Sequence, residues 1–241
     1  HQKKVIDIMI PSKIKALFVS GTGTDMGKTY CSALLAKCLC EAGYDVGYYK
    51  AAVSGVTFAS DGSIQSDATY VASVAGIPET HDEMVSYTYR NAVSPHLAAK
   101  LEGNPVELAQ VKKDFEAAGK RHEYVLMEGS GGITCPLRYD ETGYLGLDDM
   151  VNSLGLPVLL VADAGLGTLN ALITTMAYLE KANLHAVGVI LNRFKEGDVM
   201  HEDNRRMVEV LCGVPVVACV PEGTQNLEVD PVALAHLFTE V

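Results

Sequence analysis

The chain has 241 residues, 48% of them hydrophobic and 20% charged, with no Trp and a formal net charge of -11 from 19 basic and 30 acidic side chains. That length suits a single hydrophobic core, and the composition excludes an intrinsically disordered chain. The acidic balance and low aromatic content argue against nucleic acid or an anionic membrane as partner, so an anionic ligand has to be held locally by helix N-termini, backbone N–H groups and a few placed lysines.

In chain order, HQKKVIDIMIPSK opens the sequence, and residues 1–14 read as an added or ragged N-terminal extension, with 15–241 as one domain. KALFVSG (15–21) reads as a strand and KTYCSALLAKCLCEAG (28–43) as an apolar-periodic helix stopped by Gly43. VGYYKAAVSG (46–55) is a second strand, the polar stretch 55–66 an irregular loop, and DATYVASVAG (67–76) a short helix closed by Gly76. Pro95 begins another helix, a polar helix follows Pro105, and YVLMEG (124–129) is a nearly uninterrupted apolar strand. LDDMVNSLG (147–155) is helical, PVLLVADAG (157–165) a strand, TLNALITTMAYLEKAN (168–183) a helix and AVGVILNRF (186–194) a strand. DNRRMVEVLCG is the next helix, and PVVACVPEG (215–223) reads as the last strand.

Continuous apolar strands alternating with helices predict an α/β fold: a mostly parallel sheet with helices on both faces. Ligands of such sheets bind beyond the carboxyl ends of the strands. Gly21, Lys50, Glu128, Asp163 and Asn192 each fall at or just past the end of a predicted strand. The six cysteines, at 31, 38, 40, 135, 212 and 219, form no C-x-x-C pair and read as small buried hydrophobes in a reducing compartment. No apolar run reaches membrane-spanning length, and cytoplasmic residence is expected.

The chemistry concentrates in SGTGTDMGKTY (20–30). The common phosphate-binding loop has four residues between its glycines; here Gly21 and Gly27 are separated by five. The second half is nonetheless complete. Gly27 lets the backbone approach a phosphate, the helix that follows points its N–H groups at the anion, Lys28 reaches the β and γ phosphates, and Thr29 offers a hydroxyl to Mg²⁺. The strand–loop–helix context favours this reading over a chance turn. The loop also lacks the second lysine of the partitioning and division ATPases, since Gly23 and Thr24 stand there.

Several other residues have ordinary readings of their own. Lys50 at a strand end is as readily a solvated charge as a functional one. Ser54 fits a loop turn, Asp67 a first-turn helix acid and Asn192 a strand-end turn residue. Glu128, within MEGSGG, is less easily dismissed, because an acid follows a buried strand there with three glycines close by.

GTGTDMGKT, YKAAVSG, SDATYVA, SPHLAAKLEG, MEGSGG, VADAGLGTLNA and VILNR occur in the order and spacing of dethiobiotin synthetases, which this chain resembles from Lys15 to about its last strand. The family's loop, G-T-x-T-x-x-G-K-T, accounts for the displaced glycine. The resemblance implies a three-layer P-loop NTPase-like fold. It implies a reaction in which 7,8-diaminopelargonate takes up CO₂ as a carbamate. The ATP γ phosphate then passes to that carbamate, and the second amine closes the ureido ring.

The resemblance also implies roles. Lys50 is the catalytic lysine, assisted by Lys28 and Thr24. Thr29, Asp67 and Glu128 hold Mg²⁺. Asp25, Met26, Gly27, Lys28, Thr29 and Tyr30 hold ATP, as do Asp67, Glu128, Gly129, Ser130 and Gly131. Asn192, Arg193, Pro221 and Glu222 lie along its base. Ser54 contacts the diamine, and Gly167, Thr168 and Asn170 of a neighbouring subunit receive its carboxylate, which implies a homodimer. Gly132 allows close backbone approach, and His96 reads as structural or interfacial.

Three positions depart from the family pattern: Ala51 replaces a proline, Ser130 an alanine and Gly23 an aspartate. None removes a charged catalytic group. The rival readings are the core of a cobyrinic-acid-type amidating ligase and a nucleotide switch.

Overall fold

The computed structural model describes residues 13–241. In chain order the elements are β1 (Lys15–Gly21), α1 (Lys28–Glu41), β2 (Val46–Ser54), β3 (Thr57–Phe58), β4 (Ile64–Gln65), α2 (Asp67–Ala75), α3 (His81–Met84), β5 (Val85–Tyr89), α4 (Pro95–Glu102), α5 (Leu108–Arg121) and β6 (Tyr124–Gly132). They continue as β7 (Pro136–Asp140), β8 (Gly143–Gly146), α6 (Leu147–Leu154), β9 (Val158–Asp163), α7 (Thr168–Lys181), β10 (Ala186–Asn192), α8 (Val199–Cys212), β11 (Val216–Val220), α9 (Pro231–Ala235) and β12 (Thr239–Glu240).

The main sheet has the order β11-β10-β9-β1-β6-β2-β5, all parallel, with β12 added antiparallel beside the start of β1. Alternation along β1 divides the core. Leu17 and Val19 pack under α1, α2 and α9, while Ala16 and Phe18 pack under α5, α6, α7 and α8. A strand buried on both faces must be apolar throughout, which is why KALFVSG shows no polar alternation. Burying a side chain such as Phe18 completely contributes about 1.5–3 kcal/mol. β1 is also the switch point: the chain builds outward to β2 and β5, then returns to add β9, β10 and β11 on the other side. The crevice of such a fold opens there.

Several expectations need correction. The fold takes in Ile14, whose carbonyl accepts from Val241 N at 2.9 Å and whose side chain packs against Gly119; residues 1–12 lie outside the described residues. The 55–66 stretch carries a small hairpin, β3–β4, rather than irregular loop alone. Strand β5 and the β7–β8 hairpin were not foreseen, and the last strand is β12 rather than 215–223. Helix α8 starts at Val199, four residues before the predicted start at Asp203, because Asp198 caps it, its carboxylate accepting from Met200 N at 3.0 Å and His201 N at 3.1 Å.

Candidate active site

Lys50 and Glu128 do not stand at strand ends as expected. Both lie mid-strand, but the β2–β6 ladder stops at the Lys50↔Glu128 pair. Beyond it β2 continues along β5 to Ser54, while β6 turns toward β1, where Gly132 pairs with Gly21. A crevice therefore opens between two adjacent strands immediately past a charged pair.

Glu128 is 1% exposed and receives three donors: Thr29 Oγ1 at 2.8 Å and Lys50 Nζ at 2.8 Å on Oε1, and Tyr48 OH at 2.9 Å on Oε2. Lys50, 4% exposed, also pairs with Asp67 at the first turn of α2. Ser66 presents that aspartate by capping α2, its Oγ accepting from Thr69 N. Burial alone would push the Lys50 ammonium down, but Glu128 and Asp67 together outweigh it and raise the pKa, so the lysine stays charged. Burial, followed by repulsion from Lys50, lowers the pKa of Lys28, although Glu128 and Asp67 oppose the shift. Tyr48 is pushed well above the ordinary phenol range, first by burial and then by Glu128, and so remains a neutral donor.

Lys28 Nζ donates to Gly23 O at 3.3 Å, folding the loop over its own lysine. With Thr24, Asp25, Gly27 and Thr29 it forms one wall of a cavity of about 250 Å³. The opposite wall is Lys50, Ser54, Asp67, Glu128 and the Gly129–Gly131 turn. Ser130 Oγ donates to Ala52 O at 2.9 Å, tying β6 to β2 past the point where their ladder ends, so this hydroxyl proton already has an intrachain acceptor.

The other predicted residues lie apart from this cavity. Asn192 Nδ2 donates to Met26 O at 2.9 Å, and Arg193 packs on the same outer side of the loop, donating to Asp25 O. Tyr30 OH bonds Thr224 O, near the exposed Pro221 and Glu222. Gly167, Thr168 and Asn170 begin α7, away from the cavity lining. His96 lies in a separate cleft with Arg138 and Tyr139. Tyr48 and Ala52, which support the site, were not foreseen. Tyr48 could have been found by strand periodicity, since it shares a face with Lys50.

The donor set fits Mg²⁺, which takes oxygen ligands and is typically held by one or two carboxylates plus substrate phosphates. Thr29, Glu128 and Asp67 gather a hydroxyl and two carboxylates at the phosphate loop. Among the described residues no group of three or more His, Cys, Asp or Glu forms a metal cage.

A family model described as an AAA domain matches residues 15–227. The ATP-dependent dethiobiotin synthetase of Brachyspira hyodysenteriae is 47% identical over 214 residues, covering 89% of this chain and 95% of its own. That of Clostridium botulinum strain Eklund 17B is 42% identical, covering 85% and 90%. This chain belongs to the dethiobiotin synthetase family. Among solved structures, the cell-division protein MinD of Aquifex aeolicus superposes with a TM-score of 0.52 at 13% identity, over 92% of this chain and 85% of that one. A ParA-family ATPase from Chlorobium tepidum gives 0.52 at 13%, over 88% and 85%. At that identity the likeness concerns the P-loop fold alone, and this chain has Gly23 and Thr24 early in its loop.

Proposed function

We propose that this chain is an ATP-dependent dethiobiotin synthetase that closes the ureido ring of 7,8-diaminopelargonate with CO₂, releasing ADP and phosphate. The observation that carries the reading is the convergence of Lys28, Lys50, Asp67 and Glu128 on one crevice beside a helix N-terminus.

One amine of the diamine adds to CO₂ as a carbamate. A carbamate oxygen takes the γ phosphoryl group as ADP leaves, and the second amine attacks the carbonyl carbon and expels phosphate. Every stage gathers negative charge, so catalysis is positioning plus charge stabilisation. The N–H groups at the start of α1 and the Lys28 ammonium hold the phosphates. The raised pKa of Lys50 makes it a fixed positive charge facing carbamate and transferring phosphoryl, and unsuited to act as a base. Thr29, Asp67 and Glu128 would hold Mg²⁺, which when bound neutralises phosphate oxygens. Ser54 lines the same crevice and is assigned to the diamine. Asn192 keeps its Oδ1 for the adenine amine while its Nδ2 serves the loop; Tyr30, Pro221 and Glu222 flank the base.

The active unit is a homodimer in this proposal. Leu166 is 93% exposed between Gly165 and Gly167, and Thr168 Oγ1 is buried without a hydrogen-bond partner at the start of α7. Both features suit a segment that meets a second copy and offers its helix N-terminus, with Asn170, to the substrate carboxylate. Six free cysteines fit a reducing compartment, and cytoplasmic residence is part of the proposal. Among the described residues no helix is long and apolar enough to cross a membrane.

The test is phosphate release with ATP, Mg²⁺, bicarbonate and 7,8-diaminopelargonate, each omitted in turn. Release that needs all four supports the synthetase. Release indifferent to the diamine would refute it and leave a nucleotide hydrolase or switch. Light scattering of the same sample should give twice the chain mass.

A further inference from the structure

Asp163 ends β9 and Arg193 follows β10, where Asn192 is the register partner of Asp163. Arg193 has φ of 56° and Asp25 has φ of 61°, so both of these non-glycine residues occupy the left-handed region. Such residues persist where surrounding contacts over-determine them. Here the contact joins one to the other: Arg193 Nη2 donates to the Asp25 carbonyl at 2.6 Å. Arg193 Nη1 donates to Asp163 Oδ2, also at 2.6 Å. Next to it, Asn192 Nδ2 holds the Met26 carbonyl at 2.9 Å. Two consecutive residues, the last of β10 and the one after it, therefore grip two consecutive carbonyls of the phosphate loop.

Asp163 has a second attachment. Its Oδ1 accepts from Gly165 N at 2.8 Å, at the start of the segment leading into α7. Asn204 of α8, 7% exposed, fixes the same segment by donating Nδ2 to Ala164 O at 2.9 Å and Gly165 O at 3.2 Å. Asp163 is outside the lining of the nucleotide cavity, so its influence there has to pass through Arg193.

We propose that Asp163 is a positioning residue for nucleotide binding. Through Arg193 it holds left-handed Asp25 by its carbonyl, next to the Met26 carbonyl that Asn192 holds, in the turn that aims the Gly27–Thr29 N–H groups, and through Gly165 it ties that turn to the approach of α7. The arginine needs such a partner because its long side chain is free to take many rotamers. A charge-assisted pair selects the one that reaches the loop. The inference rests on the nucleotide reading of the loop and is independent of the second substrate.

Asp163→Asn keeps the acceptor for Gly165 N and removes the charge facing Arg193. Measured by calorimetric titration with Mg·ADP on the full chain, its Kd should rise about tenfold, with a matching rise in KM for ATP and a change in kcat below about twofold. Arg193→Gly should weaken ADP to a similar degree while its thermal midpoint stays level or rises, because glycine is at ease at this φ. A merely structural role would move midpoint and affinity down together. Arg193→Lys should not restore affinity, since one ammonium cannot reproduce the two-pronged contact. An ADP affinity in Asp163→Asn within about twofold of the wild type would overturn the proposal, as would a loss confined to kcat. ADP titration needs no diamine, so failure of the proposed reaction in the omission assay leaves this measurement readable.

Discussion

Lys50 and Glu128 are the last backbone partners between β2 and β6, and their side chains meet at 2.8 Å at the point where those strands part. The pair is buried, charged and at the floor of the crevice. Lys50→Met keeps the stem volume and removes the charge. Glu128 retains Thr29 and Tyr48 as donors, so the protein should fold, at a cost of about 3 kcal/mol for breaking a buried pair. Diamine-dependent phosphate release should fall by about 10²–10³-fold, as when a charge-stabilising group is removed from a transition state. Circular dichroism and turnover on the same sample check both halves.

Tyr48→Phe separates support from chemistry. The phenol donates to Glu128 Oε2 at 2.9 Å, and Tyr48 is fully buried. Loss of a hydrogen bond to a buried charged acceptor should cost about 1.5–3 kcal/mol in denaturant unfolding. Tyr48 is outside the cavity lining, so its effect on kcat should be much smaller than that of Lys50→Met. Equal losses in the two variants would give the phenol a direct role.

What could be read beforehand follows from the range over which each signal acts. The buried strands are continuous apolar runs, and the phosphate loop is a local pattern, so both were legible along the chain. β5 was missed because VSYTY alternates Ser86 and Thr88 with buried neighbours at the sheet edge, unlike the fully apolar strands that defined the expectation. β12 is two residues long, below any periodicity. The loop pattern supplied Thr29, the strand end drew notice to Glu128, the resemblance gave Lys50, Asp67 and Glu128 their roles, and the fold gathers all four at one cavity. Tyr48 against Glu128, Ser130 against Ala52, and Asp163 against Arg193 are pairings across 80, 78 and 30 residues of sequence, and only the sheet order creates them.

His81 should give a measurable pH dependence of stability. Burial lowers its pKa below the ordinary 6.5, with Asp82 opposing weakly. The geometry suits the neutral ring: its two nitrogens face hydroxyl groups that can each donate or accept, Ser66 Oγ at 3.0 Å from Nδ1 and Thr88 Oγ1 at 2.8 Å from Nε2. Between the folded value and 6.5 the unfolded chain binds more protons than the native one, so stability rises with pH across that window. Lowering the pH through 6.5 toward the folded value should destabilise the protein. His81→Gln should flatten that part of the curve of thermal midpoint against pH, and an unchanged slope would remove His81 as the cause.

Cys31 faces the core from α1, 0% exposed, with its thiol pushed up to about 12, chiefly by burial and then by Glu128. The thiolate is the species that alkylates, and at pH 8 its fraction here is negligible. Iodoacetamide on the native protein should leave the Cys31 peptide unmodified by mass spectrometry, while the same treatment in denaturant labels it. Native labelling at a rate comparable to an exposed thiol would mean that α1 opens locally.

Gly27 is the loop position with the least freedom to change. It has φ of 86°, and a Cβ there would lie 2.1 Å from Asn192 Nδ2, the atom that holds the Met26 carbonyl. Gly27→Ala therefore adds two separate penalties. The left-handed backbone costs an alanine about 1 kcal/mol, and the clash drives Asn192 off its hydrogen bond, for about 1 kcal/mol more. Gly23→Ala is the matched control in the same loop, since a Cβ there meets nothing within 4 Å. Gly27→Ala should lower the thermal midpoint and abolish measurable ADP binding, whereas Gly23→Ala should keep the midpoint. Equal midpoints for the two would mean that the loop reorganises around the added methyl and that Asn192 is not its anchor.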